Sequence, residues 1–275
     1  MCFLIWLFAP VSGRFHGEHR VFAEEDTVPV MVSNIKPAYD VVVVGTDPEG
    51  IMVAVSAARN GLTVLLVDGK DRPILGGLFT LGWLNSLDMN RAPGSRRETL
   101  NKGLFLEWYK QVEGDSFDVT TAAAVFNRMV KAEKNIDVLL KIKQIEPEMD
   151  SASTYNTVRV NGVKLTHGDG RVTTVQAGAV IDATQDADFA AAAGAPFTYG
   201  REDIGDRDSI MVVTPVFMLT NVNNAVWRAI RSRLNGDDNP GTGANDVSAW
   251  GYTELWKYPS SDPAKLRLRG LNIGR

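Results

Sequence analysis

The stretch YDVVVVGTDPEGIMVAVSAARNGLTVLLVD, residues 39–68, decides the fold. Tyr39–Val44 carries four consecutive valines and stops at Gly45, the pattern of a strand buried on both faces of a parallel sheet. Pro48–Asn60 then places Ile51, Ala54, Val55 and Ala58 at i, i+3, i+4 and i+7, a single apolar helical stripe, and Gly61 follows as a natural left-handed stop. Leu62–Val67 reads as a second buried strand, closed by Asp68. Strand, tight turn, helix and strand in that order form a βαβ unit.

The chemistry lies in the turn Gly45-Thr46-Asp47-Pro48-Glu49-Gly50. A turn of this kind aims free backbone N–H groups at the helix N-terminus, where the helix dipole favours an anion such as a diphosphate. Gly45 makes the sharp exit from the strand, and Gly50, assisted by Ala54, lets the helix pack closely on the sheet. Asp68 ends the second strand 18 residues after Gly50, where a carboxylate accepts hydrogen bonds from an adenosine ribose. Gly69 and Lys70 directly follow it and complete this part of the candidate cofactor-binding set. One position departs from the G-x-G-x-x-G fingerprint: Asp47 stands where a glycine normally lets backbone approach the phosphates. Its carboxylate repels phosphate unless it turns away or caps the helix, and Asp47 before Pro48 suits an N-cap followed by proline at the first helical position. Pro48 and Glu49 belong to the binding turn by position. The plain alternative is a βαβ unit that binds nothing.

Outside this unit the sequence sets limits. Hydrophobic residues make up 44% and charged residues 23%, the balance of a globular domain rather than a disordered chain. The net charge is −4 and no long basic run occurs, which argues against a nucleic-acid partner. Cys2 is the sole cysteine and His16, His19 and His167 do not cluster, so neither a disulfide framework nor a His-rich metal centre is expected. The apolar run Cys2–Val11 is too short to span a membrane, which takes about 20 residues. It fits the apolar region of a secretory signal, with Val21-Phe22-Ala23 at a cleavage-like position. No basic segment precedes it, and Arg14–Arg20 separates it from the cut. Residues 1–23 are therefore a candidate signal peptide, with an apolar tail as the alternative; location is secreted or cell-envelope on the first reading and cytoplasmic on the second.

Residues 24–38 read as a leader or linker. Arg72–Gly94, rich in glycine and aromatics, reads as a long functional loop. Helices are expected over Thr99–Val112, Thr121–Lys134, Ala187–Ala193 and Asn223–Leu234. Strands are expected over Asp137–Lys143, Ala177–Asp182 and Met211–Leu219, with a hairpin of Val158–Val163 and Val172–Val175 around Gly168–Gly170.

Three blocks carry a family resemblance: Tyr39–Asp68 quoted above, LGGLFTLGWLNSLDMN at 75–90, and VIDATQDADFAAAAGAPFTYGRED at 180–203. They resemble the FAD-dependent oxidoreductases that include xanthan-lyase-like flavoproteins. The resemblance implies a Rossmann-like, glutathione-reductase-like three-layer α/β domain that binds FAD, with an inserted α+β substrate-side domain. It also implies that Gly76 and Gly77 let a loop pass close to the cofactor. The third block, usually A-T-G-D in the family, is Ala183-Thr184-Gln185-Asp186 here. Gln185 replaces the glycine, and Asp186 is a candidate either to face the cofactor's polar middle or to cap the following helix.

The domains expected are 39–203 for dinucleotide binding and 204–275 for a partial substrate side, since relatives continue past Arg275 and the chain reads as C-terminally incomplete. The function expected is flavin-mediated oxidation–reduction of a small molecule, carbohydrate-derived by family association alone. The alternatives are a cofactor-binding remnant without turnover and an NAD-binding dehydrogenase. No catalytic residue is assigned. Trp83, Asn85, Asp88 and Asn90 are pocket-lining candidates, and Trp108, Trp227, Trp250 and Trp256 form either a carbohydrate-stacking set or core.

Overall fold

A computed structural model describes residues 4–7, 24–69, 72–85, 87, 89–93, 98–150, 158–210, 216–219, 223–236, 243–244, 248–251 and 271–274. In chain order these form β1 (Leu4–Leu7), β2 (Ala38–Val44), α1 (Pro48–Arg59), β3 (Val64–Val67), α2 (Gly77–Thr80), α3 (Gly103–Tyr109), α4 (Val119–Lys131), β4 (Ile136–Leu139), β5 (Gln144–Met149), β6 (Val160–Thr166), β7 (Val172–Asp182), α5 (Asp188–Ala192), β8 (Val216–Leu219), α6 (Asn224–Asn235), β9 (Gly243–Ala244), β10 (Ser248–Gly251) and β11 (Leu271–Gly274).

A six-stranded sheet of order β4-β3-β2-β7-β6-β5 forms the centre of the α/β fold. β4, β3, β2 and the second half of β7 are parallel, whereas β6 pairs antiparallel with β7 and with β5. The valines of β2 alternate between two cores, as the period-2 geometry of a strand requires. Val41 and Val43 pack with Ile51 and Val55 of α1, Leu66, Trp108 and Phe126. Val42 and Val44 pack on the opposite face with Leu65, Val67, Val163, Leu165, Val175 and Phe189.

That second core requires the sheet to curl. β4 and β5 stand at opposite ends of the strand order, about 24 Å apart were the sheet flat. The chain from Leu139 to Gln144 reaches at most about 18 Å. β5, β6 and the first half of β7 therefore fold back over the face of β2 and β3.

α1 ends as Gly61 predicts. Gly61 has φ +85°, its N–H donates to the Ala58 carbonyl and that of Leu62 to Ala57, the paired bonds of a Schellman stop.

Four expectations change. The helix expected from Thr99 begins only at Gly103, which follows extended Lys102 and has φ +64°. β5 was not foreseen, because its sequence, QIEPEM, is polar and contains Pro147. As the outer strand of the sheet it bonds only β6, and a proline is tolerated there. β7 is one strand rather than two, pairing first with β6 and then, from Gln176, with β2. Residues 24–38 are not a free linker. The Asn127 side-chain amide donates to the Asp26 and Val28 carbonyls, and the Val32 N–H donates to Val138 O on β4 at 2.9 Å. The segment thereby covers the sheet's β4 edge.

Candidate functional site

Register brings the signature residues to one end of the sheet. Val44 pairs with Val67 and with Asp182, and Val67 pairs with Leu139, so all four parallel strands finish level. Gly45, Asp68 and Ala183 then leave the sheet side by side. The chain runs from β2 to β3 on one flank and returns as β7 on the other. Ligands of open α/β sheets bind at the carboxyl ends of the strands, where the strand order reverses in this way.

The two fingerprint glycines are required by close approach. Gly45 has φ +112°, and a Cβ there would lie 2.2 Å from the Ala183 carbonyl oxygen. A Cβ on Gly50 would lie 2.1 Å from the Gly45 oxygen and 3.1 Å from the Ala183 Cβ. The turn is therefore pressed between α1 and the start of the DATQD segment. Gly45 N–H donates to Val67 O at 2.9 Å, and Ala183 N–H to Val44 O at 2.8 Å. Pro48 occupies the first turn of α1, as expected. Glu49 and Gly50 present backbone N–H groups at this N-terminus with no acceptor among the described residues.

Asp47 has the extended backbone of an N-cap, but its side chain makes no cap bond to α1. The capping reading is corrected, and the turning-away reading holds. The buried carboxylate accepts the Leu78 N–H at 2.6 Å through Oδ1, and Oδ2 pairs with Arg72. It sits directly on Gly77, where a Cβ would come within 2.0 Å of Oδ1. Asp47 thus caps the short helix α2 across the loop instead of its own helix. Gly76, at φ +97°, has no room for a side chain against Phe126 and Thr80, and its N–H donates to Thr46 O at 2.9 Å. The glycine pair therefore docks on the 45–50 turn.

Asp68 is buried, and its Oδ2 accepts from Thr46 N–H at 2.8 Å and Thr46 Oγ1 at 2.5 Å, with Arg72 Nη1 at 3.3 Å. No donor is described for its Oδ1. Gly69 lies close to the Ile142 carbonyl, 3.2 Å from a Cβ position; Lys70 lies outside the described residues. Burial opposes the charge on Arg72, but its bond to Asp47 and the charges of Asp68 and Glu49 hold the guanidinium protonated above its ordinary range.

The third block is organised by residues the sequence did not single out. Asp182 Oδ1 accepts from Thr184 N–H at 2.8 Å and from Thr184 Oγ1 at 2.7 Å. Its Oδ2 accepts the Ala190 N–H at 2.7 Å, and Thr184 Oγ1 accepts the Asp188 N–H at 2.8 Å. Capping of α5 is thus the work of Asp182 and Thr184, and the capping role for Asp186 is corrected; Asp186 is exposed. Gln185, in place of the family glycine, reaches across the turn and donates to the Glu49 carboxylate.

Among the loop candidates, Asn85 is 4% exposed and its Oδ1 has no partner among the described residues. Trp83 adopts φ +56°, a conformation L-residues rarely hold. Asn90 is exposed, and Asp88 lies outside the described residues. Trp108 and Trp227 are buried at 1% exposure, so they belong to the core and not to a stacking surface; Trp256 and the Trp250 side chain lie outside the described residues. No group of three or more His, Cys, Asp or Glu suited to a metal occurs among the described residues. A cavity of about 270 Å³ between residues 29–32, α4 and β4 lies beneath the Val32–Val138 edge, away from this turn.

The signature of FAD dependent oxidoreductases matches residues 40–266, most of the chain. The chain belongs to that family. Its cofactor is FAD and its chemistry is oxidation–reduction, which decides against the NAD-binding alternative. No curated protein sequence matches the chain. Among solved structures it is similar to THI4 of Thermovibrio ammonificans, at 18% identity and a TM-score of 0.42 over 66% of this chain and 76% of that one. It is also similar to a geranylgeranyl bacteriochlorophyll reductase-like protein of Thermoplasma acidophilum, at 18% identity and a TM-score of 0.35 over 64% and 44% of the respective chains. L-proline dehydrogenase from P. horikoshii matches at 20% identity and a TM-score of 0.31, over 54% and 22%.

The flavoprotein family's cofactor fits the residues present. The first turn of α1 keeps free amides for a diphosphate, and the acid that replaces the fingerprint's middle glycine is turned onto Leu78 and Arg72. No helix among the described residues is long and apolar enough to cross a membrane.

Proposed function

We propose that the Gly45–Gly50 turn and the α1 N-terminus hold the FAD diphosphate, that Asp68 takes the adenosine ribose through Oδ1, and that the chain handles a small-molecule substrate beside the Gly76–Trp83 loop. The observation that carries this reading is the level ending of β2, β3 and β7, which gathers Gly45, Asp68 and Ala183 around amides with no acceptor of their own.

When bound, FAD supplies the acceptance and return of a hydride or electrons. The protein's contribution is placement. Glu49 and Gly50 offer N–H donors, and their helix dipole favours the anion. Gly69, Gly76 and Gly77 line the approach, and Asp186, exposed on the third block, faces the cofactor's polar middle. Leu78 and Leu81 are 41% and 43% exposed next to strained Trp83, an apolar surface suited to a ring. In this reading residues 39–203 form the dinucleotide-binding unit and 204–275 belong to the substrate side.

Titration with FAD, followed by quenching of flavin fluorescence, tests the site. Asp68→Ala is expected to weaken FAD binding about tenfold, the size of a lost charge-assisted hydrogen bond. Asp186→Ala, at an exposed position, is expected to cost less. Equal losses for both, with equal losses of melting temperature, would indicate general destabilisation and contradict the assignment.

A further inference from the structure

We propose that Arg72 is the positioning residue that lets a fingerprint turn carrying Asp47 accept a diphosphate. It neutralises the Asp47 carboxylate and holds it on the Gly77–Leu78 backbone, off the first turn of α1. The inference rests on the assignment of FAD to that turn.

The turn has a charge problem. Asp47, Glu49 and Asp68 gather three carboxylates around one turn, at the place where a doubly negative group is to bind. Asp47 is the most serious of them, because it is buried, at 2% exposure, at the position where the fingerprint's glycine normally leaves room. A carboxylate in that position has two ways to satisfy itself. It either bonds the amides of its own helix, which removes the donors a diphosphate needs, or it finds donors elsewhere.

The geometry shows the second course. The Asp47 side chain makes no bond to α1. Its Oδ1 takes the Leu78 N–H and its Oδ2 takes Arg72 Nη1. The same nitrogen stands 3.3 Å from Asp68 Oδ2. Among the described residues Arg72 is the cation set between these acids, and its side chain is itself only 17% exposed. Arg72 lies four residues after Asp68 and four before Gly76, so one loop delivers both the countercharge and the glycine pair that receives the displaced carboxylate. Arg72, Asp47 and Gly77 therefore act together in place of the missing glycine. Removing the cation leaves a buried charge aimed at the ligand; removing the carboxylate charge as well removes the need for the cation.

The experiment is a rescue. Full-length protein freed of flavin is titrated with FAD by fluorescence and with ADP by calorimetry, as wild type, Arg72→Gln and the Arg72→Gln/Asp47→Asn double variant; each is also melted. Arg72→Gln is expected to weaken both ligands by about tenfold or more, and the double variant to return to within about threefold of wild type. Asparagine keeps the Oδ1 acceptor for Leu78 while removing the charge, so recovery reads the charge and not the shape. Unchanged affinity in Arg72→Gln overturns the proposal. So does a loss that the double variant does not recover, since Arg72 would then contact the cofactor directly or serve only as scaffold. If Arg72→Gln does not fold, a double variant that folds and binds supports the proposal, and one that also fails to fold overturns it. Wild type that takes up neither FAD nor ADP removes the FAD assignment itself, a result distinct from all of these.

Discussion

Gly45 and Gly61 both hold positive φ, yet they do different jobs. A side chain at Gly45 meets the Ala183 carbonyl at 2.2 Å, whereas nothing lies within 4 Å of one at Gly61. Gly45→Ala is therefore expected to cost about 3 kcal/mol or more and to abolish FAD uptake, since strain and overlap add. Gly61→Ala carries only the left-handed penalty of about 1–2 kcal/mol and leaves uptake intact. Chemical denaturation and FAD titration of both variants check this. Tyr39 supplies a pH prediction. Burial pushes its phenol up to about 12; the N–H of Lys36 works the other way, and the bond to Asp137 adds to the rise. The folded protein thus prefers the neutral phenol. That contribution is complete below the ordinary value of 10.0 and is lost as pH climbs from there through about 12. Denaturation midpoints measured across that interval should fall more steeply for wild type than for Tyr39→Phe; parallel curves would contradict the assignment. Gly45, Gly50 and Asp68 were legible because strand, turn and helix lie in one uninterrupted run. Arg72 was not, because its partners Asp47 and Asp68 become its neighbours only when the 72–78 loop folds back on the turn. Thr46, whose hydroxyl and amide engage Asp68, carries no pattern a sequence reveals.

At the scale of elements, periodic segments were readable and mixed ones were not. α1 and α4 have apolar stripes, and they form within a few residues of expectation. β5 is polar and did not follow from periodicity, whereas α3 forms inside the expected Thr99–Val112 helix but is shortened by the backbone at Gly103. The third block gives the clearest test of an element's terminus. Asp182 holds the Thr184 turn and accepts the Ala190 N–H, while Thr184 Oγ1 accepts that of Asp188. Asp182→Ala is expected to lower stability by about 2 kcal/mol, the worth of a cap plus one further charge-assisted bond. Asp186→Ala is expected to change it by under about 0.5 kcal/mol, as an exposed substitution. Thermal unfolding of the pair reads the difference, and similar losses would mean the cap is misassigned.

At the scale of the molecule, an aromatic core among the described residues supports the candidate site. Trp108 stacks on Phe126 at 5.1 Å between centroids, meets Phe117 edge-on at 5.1 Å and lies 5.4 Å from Phe79. Phe126 in turn presses on Gly76 of the candidate site. Trp108→Ala should cost about 3–5 kcal/mol and loosen the Gly76–Leu78 loop, so its FAD affinity should fall along with its melting temperature. The curl that brings β5–β7 over β2 could not be seen in the sequence, because it depends on a short connection between strands at opposite ends of the order. Binding of FAD at the end of β2 can be read from the absorbance spectrum of the desalted protein. The near-ultraviolet and blue bands of bound flavin are expected, present on isolation or after incubation with FAD and lost in Gly45→Ala. A folded protein that stays colourless after incubation with FAD would contradict it.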